Sequence, residues 1–206
     1  MQHLYNSLIR YGLYYKLRLK LDVYDFLEQL DLFEDLWVQY NPRKNIRRKG
    51  LSLTSLDGGM SGYPDLDSIR EYNQTHNIKL DENSFKTKTM AWSLVDSALD
   101  SFGDDVSRTH VIKHEVGGCF PPHRDSYTRE LSSFRLFIPI KNCNPPNNYF
   151  ILDERILHFD HGHVYFIDTC KEHTVFTTGS STIFVVSNIQ LSEKSVDNVL
   201  GNMEIT

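Results

Sequence analysis

A chain of 206 residues, 40% hydrophobic and 12% aromatic, can bury the core of one domain, which excludes a disordered segment and makes a second domain unnecessary. A formal net charge of -5 gives no general attraction to nucleic acid, so nucleic acid is not an expected partner. No stretch is apolar enough for a membrane span or a cleavable leader, and Cys119, Cys143 and Cys170 are scattered without CxxC spacing; a soluble protein of the reducing cytoplasm with unpaired thiols is expected.

The first forty residues read as helical. In LDVYDFLEQLDLFEDLWVQYNP (residues 21–42), Val23, Phe26, Leu27, Leu30, Phe33, Leu36 and Trp37 recur every three or four positions, the stripe by which an amphipathic helix packs on a core, and Pro42 ends it. The basic run PRKNIRRKG (residues 42–50) reads as a solvated loop. A short apolar segment, LSLTSL, and a glycine-rich turn, DGGMSGYPD, come next, followed by two further helices near residues 66–76 and 92–102.

From residue 109 the texture changes to short β-branched and aromatic runs between turn residues. THVIKHEV, SSFRLFIPI, NYFILD, RILHFD, HVYFID, HTVFTT and STIFVVSNI each read as a strand. So many short strands after helices predict an α+β fold: a jelly roll or a small barrel, buttressed by N-terminal helices. The expected layout is a single domain over residues 1–206. A mainly helical part (1–105) packs on a jelly-roll core (106–190), and a polar C-terminal tail (191–206) ends the chain as a short helix or a frayed end.

Within the first strands, GGCFPPHRDS (residues 117–126) sets His123 and Asp125 two positions apart, behind Pro121 and Pro122, which stiffen a turn. His-Arg-Asp also opens the catalytic loop of protein kinases, but there an asparagine follows five positions after the aspartate. Here that residue is Glu130, and no glycine-rich nucleotide loop precedes it. The other reading is two thirds of a two-histidine, one-carboxylate iron site, which needs a second histidine from a distant strand. His158, His161, His163 and His173 are available. HFDHGH (residues 158–163) straddles a turn, where histidine and aspartate are ordinary polar residues; His173 instead opens a late strand.

Four segments in order, VGGCFPPHRD, FRLFIPI, GHVYFID and KEHTVF, resemble the iron(II)- and 2-oxoglutarate-dependent dioxygenases, above all the aspartyl/asparaginyl β-hydroxylase branch, which is similar to the free-proline hydroxylases. The likeness covers residues 109–189. It implies a double-stranded β-helix, or cupin-like jelly roll, with a facial triad of His123, Asp125 and His173 on Fe(II) and 2-oxoglutarate as cosubstrate. It also implies hydroxylation of an amino acid, a peptidyl side chain or a small carboxylate-bearing substrate, with release of succinate and carbon dioxide.

The chain departs from the family at one point. Where relatives carry an arginine for the far carboxylate of 2-oxoglutarate, about ten positions after the distal histidine, this sequence has Ile183. Arg135, between apolar neighbours in SSFRLFIPI, is one replacement, facing either cosubstrate or substrate. The hydroxyls of Thr177, Ser181 and Thr182, with Lys113 reaching across, are another. A third resolution is a cupin-like or non-catalytic metal-binding module that does not use 2-oxoglutarate. The histidine that relatives place two positions after the arginine is Phe137 here, and Tyr127, Tyr149 and Tyr165 are candidate pocket walls.

Overall fold

The computed structural model describes residues 2–41, 46–126 and 131–204. After a first helix, α1 (Gln2–Ile9), the chain forms a strand, β1 (Tyr14–Lys20), where a helix was expected. The reason is visible in YYKLRLK: Tyr15 and Leu17 are buried while Tyr14, Arg18 and Lys20 face water, a period of two rather than 3.6. Helix α2 (Val23–Leu30) begins at Asp22, whose carboxylate accepts from the backbone N–H of Tyr24 (2.9 Å) and Asp25 (3.1 Å). The long apolar stripe does not continue it to Pro42. A 3-10 segment (Asp31–Leu36) kinks at Phe33, and β2 (Val38–Gln39) follows, although Phe26, Leu30 and Phe33 still pack inward.

Residues 42–45 of the basic run lie outside the described residues, but Arg48 does not sit in a solvated loop. It opens β3 (Arg48–Ser52) and is 3% exposed, because strand alternation turns Arg48, Gly50 and Ser52 to one face. Strand β4 (Thr54–Ser55) is followed by α3 (Ile69–His76), capped by Ser68 and stopped by Asn77 in the left-handed conformation. After β5 (Thr87–Lys88), the helix expected at residues 92–102 is three short pieces: Met90–Leu94, α4 (Asp96–Leu99) and Asp100–Asp105, the last broken at Gly103 with φ 56°. The part expected to be mainly helical therefore also supplies five strands.

The remaining strands are β6 (Val106–His114), β7 (Cys119–His123), β8 (Ser133–Lys141), β9 (Asn148–Leu152), β10 (Arg155–Leu157), β11 (His163–Ile167), β12 (His173–Thr177) and β13 (Thr182–Gln190). The tail is an ordered helix, α5 (Glu193–Asn202), capped by Ser192 and anchored through the buried Val196 and Val199.

Two antiparallel sheets face each other. The larger has the order β1-β11-β8-β13-β6-β3-β2, the smaller β10-β9-β12-β7, and β4 pairs with β5 apart from both. Alternation along the strands builds two cores. Val111, Leu136, Ile138 and Val185 point outward from the large sheet against Phe26, Leu30, Phe102 and Val196 of the helical layer. Ile112, Phe137 and Phe184 point inward, against Phe150, Leu152 and Val175 of the small sheet. This is a jelly roll of the cupin type with helices on its outer face, an α+β fold. Among the described residues no helix is long and apolar enough to cross a membrane, and none of the three cysteines is in a disulfide.

Candidate metal centre

The prolines before His123 belong to a strand, not to the turn expected. Pro121 and Pro122 lie in β7, an edge of the small sheet, where a missing backbone N–H costs no ladder bond. β7 pairs with β12 so that His123 stands opposite His173. Just past the strand end, the backbone N–H of Asp125 donates to the carbonyl of Thr169 (3.0 Å), which ties the bend to the loop leading into β12. Fifty residues of sequence separation are closed by one strand pairing.

Both imidazoles are oriented in the same way. Nδ1 of His123 lies 2.7 Å from the carbonyl of Pro121, and Nδ1 of His173 lies 3.0 Å from that of Lys171. Each ring therefore directs Nδ1–H to a backbone oxygen two residues upstream and leaves Nε2 as a lone-pair donor. The ring centroids are 4.2 Å apart, and Nε2 of His123 is 3.5 Å from Oδ1 of Asp125. One ligand atom from each of the three lies within 4.8 Å of the other two, and among the described residues no other histidine, cysteine or carboxylate group gathers so. Two imidazole nitrogens and one carboxylate oxygen on one side of a point fit a divalent transition metal with its opposite face open.

Arg135, on β8, closes the carboxylate side. Its Nε donates to Oδ2 of Asp125, its Nη1 donates to Oδ1 of Asn188 (2.8 Å), and its Nη2 is 3.7 Å from Glu82. Burial by itself would raise the Asp125 pKa; the Arg135 guanidinium and the contacts to His123 and His173 outweigh it and hold the carboxyl well below the usual range. His173, 7% exposed, is pushed down by burial, so its Nε2 is unprotonated at neutral pH. His123 moves the other way, raised by the Asp125 carboxylate, 3.5 Å from its Nε2.

A cavity of about 130 Å³ opens on the triad. Its walls are mostly apolar, with Ile112, Phe137, Phe150, Val175 and Phe184 among them; its polar lining includes Arg108, His110, Arg135 and Thr169. Arg108 and His110 were not singled out in the sequence, yet RTHVIKH carries the signal: in β6, Arg108, His110, Ile112 and His114 all fall on the inner face. Glu82 meets Nη1 of Arg108 with both oxygens at 3.2 Å, and so links that arginine to Arg135.

The remaining expected residues lie elsewhere. Lys113 is one step out of phase with the inner residues of β6 and points outward, 3.7 Å from Glu34 and over the ring of Trp37. Ile183 also faces outward, into the helical core. Thr177 and Thr182 do point inward but do not line the cavity; their hydroxyls are 3.3 Å apart, deeper in the barrel. Phe137 lines the cavity. Tyr149 stacks on Phe176, and the Tyr165 hydroxyl accepts from the backbone N–H of Asp160; neither lines the cavity. Tyr127 lies outside the described residues. In HFDHGH, Nε2 of His161 accepts from the backbone N–H of Cys143 (3.1 Å), a structural contact remote from the triad.

The sequence matches no protein-family model and no curated protein. Solved structures with a similar fold include an oxidoreductase of the 2OG-Fe(II) oxygenase family from Burkholderia pseudomallei, 11% identical over 81% of this chain and 79% of that one, with a TM-score of 0.44. A predicted oxalate decarboxylase from Thermotoga maritima is 15% identical over 45% of this chain and 74% of that one, with a TM-score of 0.33. An RmlC-like cupin protein from Desulfovibrio desulfuricans is 12% identical over 40% and 70%, with a TM-score of 0.31.

Proposed function

We propose that this protein is an Fe(II)- and 2-oxoglutarate-dependent oxygenase that hydroxylates a small or peptidyl substrate bearing a carboxylate. The observation that carries this reading is the triad: two imidazoles held by their own backbone carbonyls, and a carboxylate with one oxygen gripped by Arg135 and the other turned to His123. When bound, iron and 2-oxoglutarate supply the oxidising chemistry, in which dioxygen is consumed, the keto acid becomes succinate and carbon dioxide, and a substrate C–H bond is hydroxylated.

The chain's own residues do the rest. His123, Asp125 and His173 hold the metal on one face. Arg135 fixes the rotamer of Asp125, so that the carboxylate offers one oxygen rather than two. The phenylalanines of the cavity exclude water from the reacting centre. His110, kept neutral by burial and by the nearby charges of Arg108 and Arg135, has a buried Nδ1 without a partner among the described residues and is the polar group available to orient a substrate.

One observation favours a second reading, a metal-binding jelly-roll module that does not use 2-oxoglutarate: both arginines lining the cavity are already engaged by Glu82 and Asp125. Anaerobic titration with Fe(II) and then 2-oxoglutarate separates the two. The oxygenase gives the weak visible charge-transfer band of the chelated keto acid, followed by succinate on admission of air; the module binds metal and gives neither.

A further inference from the structure

Three guanidinium groups lie in the space between the two sheets, those of Arg48, Arg108 and Arg135. Arg108 is met by Glu82 and by the carbonyls of Asp65 (2.7 Å) and Asp67 (3.0 Å), and Arg135 by Asp125 and Asn188. Two carboxylates thus serve two of the three cations. Arg48 is left over: it is 3% exposed, its Nε is buried without a partner, and no carboxylate among the described residues pairs with it. Its neighbours are aromatic faces, Phe120 at 4.0 Å and Tyr40 at 5.1 Å from the guanidinium carbon. Such contacts offset only part of the cost of burying a charge. Burial accordingly lowers its pKa.

The register places this orphan cation at a useful depth. Arg48 pairs with His114 and His114 with Thr182, which makes one inward-facing row across β3, β6 and β13. From the opposite sheet Thr177 approaches both, its Oγ1 being 3.4 Å from Nδ1 of His114 and 3.3 Å from Oγ1 of Thr182. Nε2 of His114 is a second buried atom without a partner. Along β12 this polar floor lies four residues below His173, about 13 Å at strand rise. Phe120, against which the guanidinium stacks, pairs with Val175 midway between, and its ring is 6.3 Å from that of His123. The cation is therefore separated from the metal centre by one aromatic ring, that of Phe120.

We propose that Arg48 is the cation that receives the far carboxylate of 2-oxoglutarate, above a floor formed by His114, Thr177 and Thr182. The inference rests on the oxygenase reading of the triad and goes beyond it by assigning the missing charge to an N-terminal strand rather than to β13, where Ile183 faces away. The rings of Tyr40 and Phe120 stand between the guanidinium and the cavity. Phe120, half-buried on the edge strand, turns aside when the dicarboxylate enters, a rotamer change of the kind common on binding.

The test uses the full chain loaded with Mn(II), which binds keto acids without turnover, and calorimetry with two probes: 2-oxoglutarate, and 2-oxovalerate, which has the same length but no far carboxylate. The parent protein is expected to prefer 2-oxoglutarate strongly. Arg48→Met is expected to lose affinity for it on the order of 100-fold, down to that for 2-oxovalerate, with 2-oxovalerate and Mn(II) binding unchanged and part of the preference kept by Arg48→Lys. The metal-free Arg48→Met protein is expected to melt no lower than the parent, because it loses an unpaired buried charge. A melting point well below the parent's overturns the assignment, since it means that the cation is already satisfied in the fold. An unchanged preference for 2-oxoglutarate in Arg48→Met also overturns it, while leaving the oxygenase reading in place. If the parent binds neither keto acid, the oxygenase reading falls and this assignment falls with it.

Discussion

Arg135 and Asp125 form an ion pair in which the arginine Nε takes Oδ2 of the carboxylate and leaves Oδ1 turned toward His123. The arginine's charge is thereby committed to a metal ligand. Removing it frees the carboxylate to rotate, so Arg135→Met is expected to weaken Mn(II) or Fe(II) binding about 10- to 100-fold, with Arg135→Lys intermediate because a point charge cannot reproduce the guanidinium fork. Metal titration followed by calorimetry measures this; unchanged affinity in Arg135→Met shows that Asp125 is oriented without it.

His123→Ala and His173→Ala are each expected to abolish metal binding while the metal-free melting point changes little, since the Nδ1 of each ring bonds only to a backbone carbonyl two residues away in its own chain segment. Asp125→Ala should also abolish binding but cost about 1–2 kcal/mol of metal-free stability, because it strips a partner from the half-buried Arg135 guanidinium. Urea unfolding in chelator compares the three. His163→Ala serves as the control, with metal binding expected to persist.

Stability should fall on mild acidification because of two histidines away from the triad. Burial, reinforced by Arg48, lowers the pKa of His114 from 6.5 to about 3; burial, reinforced by Arg108 and Arg135, takes His110 well below its usual value. Below pH 6.5 the unfolded chain takes up protons that the folded chain refuses, so unfolding becomes easier as the pH drops toward 3. Each histidine contributes a slope of at most about 1.4 kcal/mol per pH unit. Urea midpoints at pH 7, 6 and 5 should decline, and His114→Phe should flatten the decline by about one proton.

Gly118 lets the β7 strand start where it does. A Cβ there would come 2.7 Å from the carbonyl oxygen of Arg47 and 2.9 Å from that of Glu115, both backbone atoms that cannot swing away. Gly118→Ala is expected to cost about 1–3 kcal/mol and to loosen metal binding as well, since the displaced strand carries His123 five residues on. Full metal affinity in a destabilised Gly118→Ala protein would show that the pairing of His123 with His173 holds independently of the strand start.

What this sequence determined by itself was whatever local periodicity and residue chemistry encode. The β-branched and aromatic runs bounded by turn residues, such as SSFRLFIPI and STIFVVSNI, are enough for strands, because those side chains fit a pleated surface and the turn residues limit the length. His-x-Asp and a late histidine are enough to name ligand candidates, because the donor types are limited. Tertiary structure decided the rest, starting with the partner of the strand at Tyr14–Lys20, which pairs with His163–Ile167. It also decided the use of each cation. Lys113 and Arg48 are both basic residues on strands, and one points outward against Glu34 and Trp37 while the other is buried between the sheets, because register against His114 sets the face. Arg135 reads as a free pocket charge until the fold brings Asp125 against it. Partners that lie ten or fifty residues away along the chain are chosen by how the sheets close, and no local pattern carries that choice.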